Sequence, residues 1–178
     1  MARLNVVNPA TASGKAKELF EGPLAQKKLN IYRGLANNPA VLDAFLKFAG
    51  GVRGGSLTPA QHQLVALVCA QTNACDYCLA AHTKLAAAAG VDADAALNAR
   101  QGTSSDPKNQ ALLRFANAII EKRGFVSDGD LKAFRTAGFD DAAVVEMLGA
   151  IAVNYFTNFF NQVNHTDVDT MFDPAPKI

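Results

Sequence analysis

The sequence lacks a surplus of charge of either sign. Its 178 residues carry 17 Lys and Arg against 16 Asp and Glu, a formal net charge of +1. Without a basic excess or an acidic tail, neither nucleic acid nor a strongly charged partner is expected. At this length a second independent domain would be cramped, so the sequence predicts one domain over 1–178, with a core of about 38–169 and a helical extension over 1–37.

The sequence also lacks an uninterrupted long hydrophobic run. The N-terminus continues from Met1 into polar sequence without the apolar core of a signal peptide. The longest apolar region, 142–160, is interrupted by Glu146, Asn154 and Asn158, which a lipid-facing span would not easily tolerate. We therefore expect a cytoplasmic protein with no membrane segment, where a close cysteine pair cycles between thiol and disulfide.

No segment shows the two-residue alternation and hairpin turns typical of strands. Helix-start signals recur instead, as at Asn38-Pro39 and at Thr58-Pro59-Ala60-Gln61, each with a capping residue followed by proline. The glycine-rich segment 50–56 has no Gly-Lys-Ser/Thr after it, so it predicts a flexible connection and not a phosphate loop. The sequence predicts an all-α helical bundle with a loosely ordered tail over 167–178.

Cysteine is scarce, yet two of the three cysteines and one of the three histidines lie within eight consecutive residues, at Cys75, Cys78 and His82. An alanine-rich run ending at Gly90 follows, so we predict one helix over 75–89. Residues three and four apart are neighbours on a helix, which places Cys75 beside Cys78 and Cys78 beside His82. A helix N-terminus and a protonated imidazole both lower a thiol pKa, so this spacing favours a reactive dithiol.

Other sites share parts of this pattern. A c-type haem site needs histidine directly after the second cysteine, where this chain has Leu79. A zinc site would need a fourth ligand, and a thioredoxin-like motif should follow a strand, whereas 57–74 predicts an apolar helix free of charged residues. Two buried structural cysteines with a satisfied histidine is the remaining alternative. Redox chemistry without bound metal, flavin or haem is the favoured interpretation.

The arrangement Cys75-x-x-Cys78-x-x-x-His82, preceded by an apolar helix that begins at Leu57-Thr58-Pro59, resembles alkylhydroperoxidase D (AhpD)-like members of the carboxymuconolactone decarboxylase family, in particular their peroxidase-related group. Further similarity at 131–139 and 154–158 extends the resemblance over most of the chain from Asn38 to about Asp169.

The resemblance implies an all-helical fold and a homo-oligomer, trimer or hexamer. It also implies reduction of a small peroxide at the expense of a thiol electron donor, with the two cysteines joined as a disulfide after turnover. Members that are true lactone decarboxylases typically lack the cysteine pair, which argues against decarboxylation here. Two alternatives remain open: a non-enzymatic oligomer that responds to redox state, and carbon-acid chemistry at His82 alone.

One position departs from the family pattern. The peroxidase-type pattern has a glutamate of a proton relay twelve residues before the first cysteine, and this chain has Gln63 there. Glutamine cannot accept and release a proton as a carboxylate does, but it can orient water or an imidazole. His62 points about 100 degrees away on an ideal helix, and we expect an ordinary surface histidine.

The spacing also suggests roles for the site residues. We expect His82 to take the proton of Cys78, Cys78 to attack the peroxide and Cys75 to resolve the sulfenic acid, although the two cysteines could exchange roles. Around them we expect Asp76 to cap the helix and Tyr77 to pack or to form a pocket wall. Cys69 is expected in the core, and three asparagines, Asn154, Asn158 and Asn161, share one helix face that could line the site, cap loops or bond across a subunit contact.

Overall fold

The computed structural model describes residues 1–176, and within them the chain forms nine α-helices and no β-strand. The predicted all-α fold is confirmed. The helices are α1 (Gly14–Glu21), α2 (Asn30–Leu35), α3 (Pro39–Val52), α4 (Pro59–Thr72), α5 (Asp76–Ala88), α6 (Ala93–Arg100), α7 (Pro107–Glu121), α8 (Asp128–Thr136) and α9 (Asp141–Asn164).

The helix starts follow the capping signals of the sequence. The Asn38 side chain accepts from the backbone N–H of Val41, and Thr58 and Gln61 form a complete capping box at α4. The flexible connection predicted over 50–56 is wrong at its start, because α3 continues through Gly50 and Gly51 to Val52. Glycine costs a helix only about 1 kcal/mol, which the packing of α3 against α9 can offset.

Helix α4 is the centre of the molecule. It packs against α5, α6, α7 and α9, and nine of its fourteen residues are buried. Its lack of charged side chains is explained by this position, since neighbouring helices surround it on most sides. From the centre, α4 directs His62 and Gln63 towards the helices that carry the rest of the candidate site.

Helix α9 is apolar and 24 residues long, and it is the one helix within residues 1–176 that could cross a membrane by length and composition. In the structure it packs against α2, α3, α4 and α5. The polar residues that interrupt its apolar sequence are buried against these helices, among them Glu146, Asn154, Asn158 and Asn161. The same helix therefore contributes both core packing and polar groups to the interior.

The sequence predicts a loosely ordered tail over 167–178, and over residues 167–176 that prediction is wrong. Asp169 accepts hydrogen bonds from the Tyr77 hydroxyl at 2.6 Å and from the backbone N–H of Asn30 at 3.1 Å. Phe172 is buried edge-on against Tyr77, and the Arg100 guanidinium donates to the carbonyl of Pro176. The segment is thus fastened across the end of α5 that carries the cysteines. Residues 177–178 of the predicted tail lie outside the described residues.

Candidate active site

The two cysteines lie together at the N-terminal end of α5, where they are joined as a disulfide with 5.2 Å between their Cα atoms. Cys75 is the N-cap, and its Sγ accepts from the backbone N–H of Cys78 at 3.3 Å. The helix therefore begins one residue later than predicted, and the expectation that Asp76 would cap it is wrong. Asp76 is the first helical residue and is exposed to solvent, because the cap position is already filled by sulfur.

Asn161 on α9 contacts the second sulfur. Its Nδ2 donates to the Cys78 Sγ at 3.3 Å, and both side chains are buried. A hydrogen bond to sulfur favours the thiolate over the thiol once the disulfide is reduced. Among residues 1–176 the Oδ1 of Asn161 finds no hydrogen-bond partner, and it is shielded from solvent, so an acceptor remains unused beside the cysteine. Asn158, one turn earlier, accepts from the Asn73 side chain instead and does not reach the site.

Gln63 and His82 are in direct contact, with 2.8 Å between Oε1 and Nδ1. An amide oxygen only accepts, so Nδ1 carries the hydrogen and the lone pair of Nε2 is left available. The structure thus brings together all four residues singled out in the sequence: Cys75 and Cys78 at the start of α5, His82 one turn on, and Gln63 from α4.

His82 is neutral at ordinary pH. Burial lowers the pKa of its imidazole to about 4, and the positive charge of Arg53 lowers it further. In this disulfide state the imidazole is therefore neutral, and stabilisation of the Cys78 thiolate by a protonated imidazole stays a prediction for the reduced protein. A neutral His82 can instead accept a proton directly.

A cavity of about 90 Å³ gives access to Cys78 and His82 but not to Cys75. Both cysteines are almost completely buried, so this cavity decides which sulfur a small molecule meets. Its wall is mostly apolar, with polar groups from the site helices and from α3. The lining residues include Leu29, Ile31, Tyr32, Phe45, Arg53, Tyr77, Cys78, His82, Leu85, Asn161 and Phe172.

His62 is not the surface histidine that was expected. It is buried, and its Nε2 lies 3.0 Å from Oε1 of Glu146 on α9. The Glu146 carboxylate also accepts from the backbone N–H groups of Ser56 and Leu57, at 2.6 Å and 3.1 Å. Burial lowers the pKa of His62, and the neighbouring Glu146 opposes part of that change. The rotation of 100 degrees away from Gln63 directs His62 to α9 and not to solvent.

The two histidines share a second, smaller cavity of about 20 Å³, which is also lined by Arg53, Gln63 and Asn154. Sequence reasoning missed two groups at the site, Glu146 and Arg53, whereas it included lining of the site by Asn161 among its alternatives. A lone carboxylate within an apolar helix was the available signal for Glu146, since such a group is buried only with partners. Cys69 lies in the core as predicted, where burial raises its pKa to about 12.

Fold and site together define a class: over residues 1–176 the protein has helices and no strand, a buried CxxC pair stands at the start of one helix, and a neutral imidazole follows one turn later. Residues 39–101 match the model of the carboxymuconolactone decarboxylase family. The predicted resemblance to this family and to its AhpD-like members is confirmed.

Solved structures share this fold. An alkylhydroperoxidase AhpD core, a peroxidase-related protein from Ralstonia eutropha JMP134, superposes with a TM-score of 0.85 at 19% identity over 96% of this chain and 93% of that chain. A peroxidase-related protein from Silicibacter sp. TM1040 gives 0.79 at 17% identity, over 97% of each chain. The debrominase Bmp8, in a complex of a cysteine-to-alanine variant with 2,3,4-tribromopyrrole, gives 0.76 at 17% identity over 96% of this chain and 95% of that one. No curated protein matches the sequence significantly.

Proposed function

We propose that this protein reduces small organic hydroperoxides through a dithiol–disulfide cycle of Cys75 and Cys78. The observation that carries the proposal is the position of Cys78, which is bonded to Cys75 and shares a cavity wall with the neutral base His82. The likeness to peroxidase-related structures supports the same chemistry. Cycling requires a reducing compartment, which agrees with the cytoplasmic location expected from the sequence.

The first step is attack by Cys78. His82 Nε2 takes the thiol proton, and the sulfur attacks the terminal oxygen of the hydroperoxide. The O–O bond breaks and Cys78 becomes a sulfenic acid. The alkoxide that leaves takes the proton from His82 and is released as the alcohol. Gln63 positions the ring through Nδ1, and Asn161 stabilises the sulfur anion.

The second step is resolution by Cys75. Its sulfur attacks the Cys78 sulfur, a disulfide forms, and the sulfenic oxygen leaves as water. Because Cys75 does not line the cavity, its sulfur is placed for this internal reaction and not for the substrate. An external dithiol then reduces the disulfide, so each cycle consumes one hydroperoxide and two electrons.

Steady-state consumption of an alkyl hydroperoxide with dithiothreitol as donor tests the proposal. Cys78→Ser should lower the rate to that of the uncatalysed reaction, and His82→Asn should lower it by about 10²- to 10⁴-fold. Cys69→Ser is the matched control, because Cys69 is buried away from the cavity and its loss should leave the rate near that of the native protein. Persistent activity of Cys78→Ser would contradict the assignment.

Reductive dehalogenation is a second candidate, favoured by the fold shared with the debrominase. In that reaction a dithiol would supply two electrons to an aryl bromide, and bromide would leave as a proton replaces it on the ring. Bromide release from a brominated pyrrole is measured in parallel with hydroperoxide consumption, and the two assays distinguish dehalogenation from peroxide reduction.

A protein that performs neither reaction but changes its assembly on oxidation would support the non-enzymatic alternative.

A further inference from the structure

Arg53 occupies an unusual place beside the dithiol. It follows the last residue of α3, is exposed to solvent, and lines both the cavity of Cys78 and the smaller cavity between the two histidines. Within residues 1–176 no carboxylate lies within ion-pair distance of its guanidinium. Its charge is therefore available to a molecule that enters from solvent.

Arg53 is also the charged group of the larger cavity at neutral pH. Burial lowers the pKa of His82 and raises the pKa values of Tyr32 and Tyr77, so these three lining side chains are neutral. The positive charge of Arg53 adds to the decrease in the pKa of His82 and opposes part of the increase in the pKa of Tyr32, so its charge acts on groups that line the cavity. An anion at the entrance would thus meet an unpaired guanidinium with little competing charge from the wall.

One opposing charge to consider is Asp169, which contacts the lining residue Tyr77. This carboxylate lies behind Tyr77, where it accepts from the phenol hydroxyl and from the backbone N–H of Asn30. It does not line the cavity, whereas Arg53 does. Apolar side chains of Leu29, Phe45 and Leu85 form much of the remaining wall, which suits a hydrocarbon portion of a ligand.

We propose that Arg53 makes the dithiol site selective for anionic electrophiles, and that its substrates are organic hydroperoxides that carry a carboxylate. The guanidinium binds the carboxylate at the entrance, and the apolar wall receives the chain that presents the peroxide to Cys78. The choice of a hydroperoxide rests on the proposed function, whereas the preference for an anion does not.

Alkylation of the reduced protein tests the anion preference without any peroxide. Iodoacetate and iodoacetamide both alkylate the same thiolate by displacement of iodide, but only iodoacetate is charged. A change in the thiol pKa alters both rates equally, so the ratio of the iodoacetate rate to the iodoacetamide rate measures the preference for an anion. The rates at Cys78 are measured by peptide mass spectrometry at low ionic strength and normalised to the ratio for glutathione. Arg53→Gln should lower the ratio by about three- to tenfold, and Arg53→Lys should retain most of it.

Arg114→Gln is the matched control, because Arg114 is an exposed arginine that does not line either cavity. Its rate ratio should equal that of the native protein. An unchanged ratio in Arg53→Gln, or an equal decrease in Arg114→Gln, would overturn the proposal.

A second arm compares a fatty-acid hydroperoxide with its methyl ester. The native protein should show the higher kcat/KM for the acid, and Arg53→Gln should remove that preference. If the alkylation ratio depends on Arg53 but neither hydroperoxide is consumed, the anion site stands and the proposed peroxidase function fails. If both hydroperoxides are consumed equally by the native protein, the assignment of the substrate class fails alone.

Discussion

The contact between Gln63 and His82 determines which ring nitrogen can act as a base. With Nδ1 held by an amide oxygen, Nε2 is the acceptor, and the neutral amide adds no negative charge to support the imidazolium that forms during attack. A carboxylate at this position would keep the orientation and add that charge. The substitution of a glutamine for the family's glutamate therefore concerns the strength of the base more than its geometry.

Gln63→Glu should raise the pKa of His82 from about 4 by one unit or more, since an opposite charge stabilises the imidazolium. The acid limb of the pH profile of kcat/KM for hydroperoxide should move upward by the same amount. Gln63→Leu, which removes the acceptor, should lower kcat/KM about tenfold without that displacement. Superimposable profiles for the native protein and Gln63→Glu would show that the contact does not tune the base.

The depressed pKa of His82 also makes a prediction about stability. A histidine that resists protonation in the folded state binds fewer protons than in the unfolded chain, so its contribution is complete above pH 6.5 and is lost as pH falls towards 4. Urea unfolding at pH 7 and pH 4.5 should show that His82→Asn loses less stability on acidification than the native protein, by on the order of 2 kcal/mol. Equal losses in the two proteins would contradict a buried neutral imidazole.

The residues of the dithiol centre could be predicted because Cys75, Cys78 and His82 are close in sequence, and helical spacing makes them neighbours. The same reasoning could not place three other side chains, because they approach from other parts of the chain and only tertiary packing decides their contacts. These are Arg53, Glu146 and Asn161. His62 shows the limit clearly. The sequence correctly predicts that His62 points away from Gln63 on α4. Its burial, however, depends on the contact with Glu146 of α9, which the local sequence does not reveal.

At the level of helices, the buried carboxylate of Glu146 joins α9 to the connection between α3 and α4. The carboxylate accepts from the backbone of Ser56 and Leu57, and a Cβ added at Gly55 would overlap it. Gly55 is thus required for close approach of the chain to Glu146, and not for an unusual backbone angle. This contact holds the N-terminal end of α4, and hence His62 and Gln63, in register with α9.

Gly55→Ala should lower the free energy of unfolding by about 2–4 kcal/mol, because it displaces a buried, hydrogen-bonded carboxylate. Gly50→Ala is the matched control from the same glycine-rich segment, since nothing lies within 4 Å of its added Cβ and it is helical and exposed. It should stabilise the protein by about 0.5–1 kcal/mol. Urea denaturation measures both, and equal effects of the two substitutions would rule out the contact as the cause.

The sequence predicts helix starts better than the segments between helices. Caps and proline identify the beginnings of α3 and α4 from a few adjacent residues. The segment over 167–176 has no such periodicity, and its order comes from contacts with distant side chains such as Tyr77 and Arg100. Interactions of that kind are invisible to a local pattern, so the prediction of a loose tail failed there.

For the whole molecule, one exposed apolar surface is a stripe along α9. Its successive members are three, eight, three and four residues apart, which places them on one helix face, and they are between 38% and 70% exposed, namely Val145, Leu148, Phe156, Phe159 and Val163. A stripe of this kind normally marks a protein interface. We propose that further copies of this chain cover it, in agreement with the oligomer expected from the family resemblance.

Light scattering coupled to size-exclusion chromatography should therefore give the mass of an oligomer, a whole-number multiple of 18.8 kDa that is larger than one chain. Phe159→Glu should shift the mass towards the monomer, whereas Phe125→Glu, at an 87% exposed phenylalanine outside the stripe, should leave it unchanged. The comparison is made on reduced and oxidised samples, because a mass that changes with redox state would favour the non-enzymatic oligomer. A monomeric native protein would contradict the proposed interface.

The dithiol–disulfide cycle is tested most directly by a single turnover of the reduced protein with one equivalent of hydroperoxide, followed by mass spectrometry. We expect loss of two hydrogens, a disulfide between Cys75 and Cys78, and one equivalent of alcohol. In Cys75→Ser we expect a sulfenic acid trapped on Cys78. Hydroperoxide that remains unconsumed, or oxidation that falls on Cys75 while Cys78 stays reduced, would contradict the cycle.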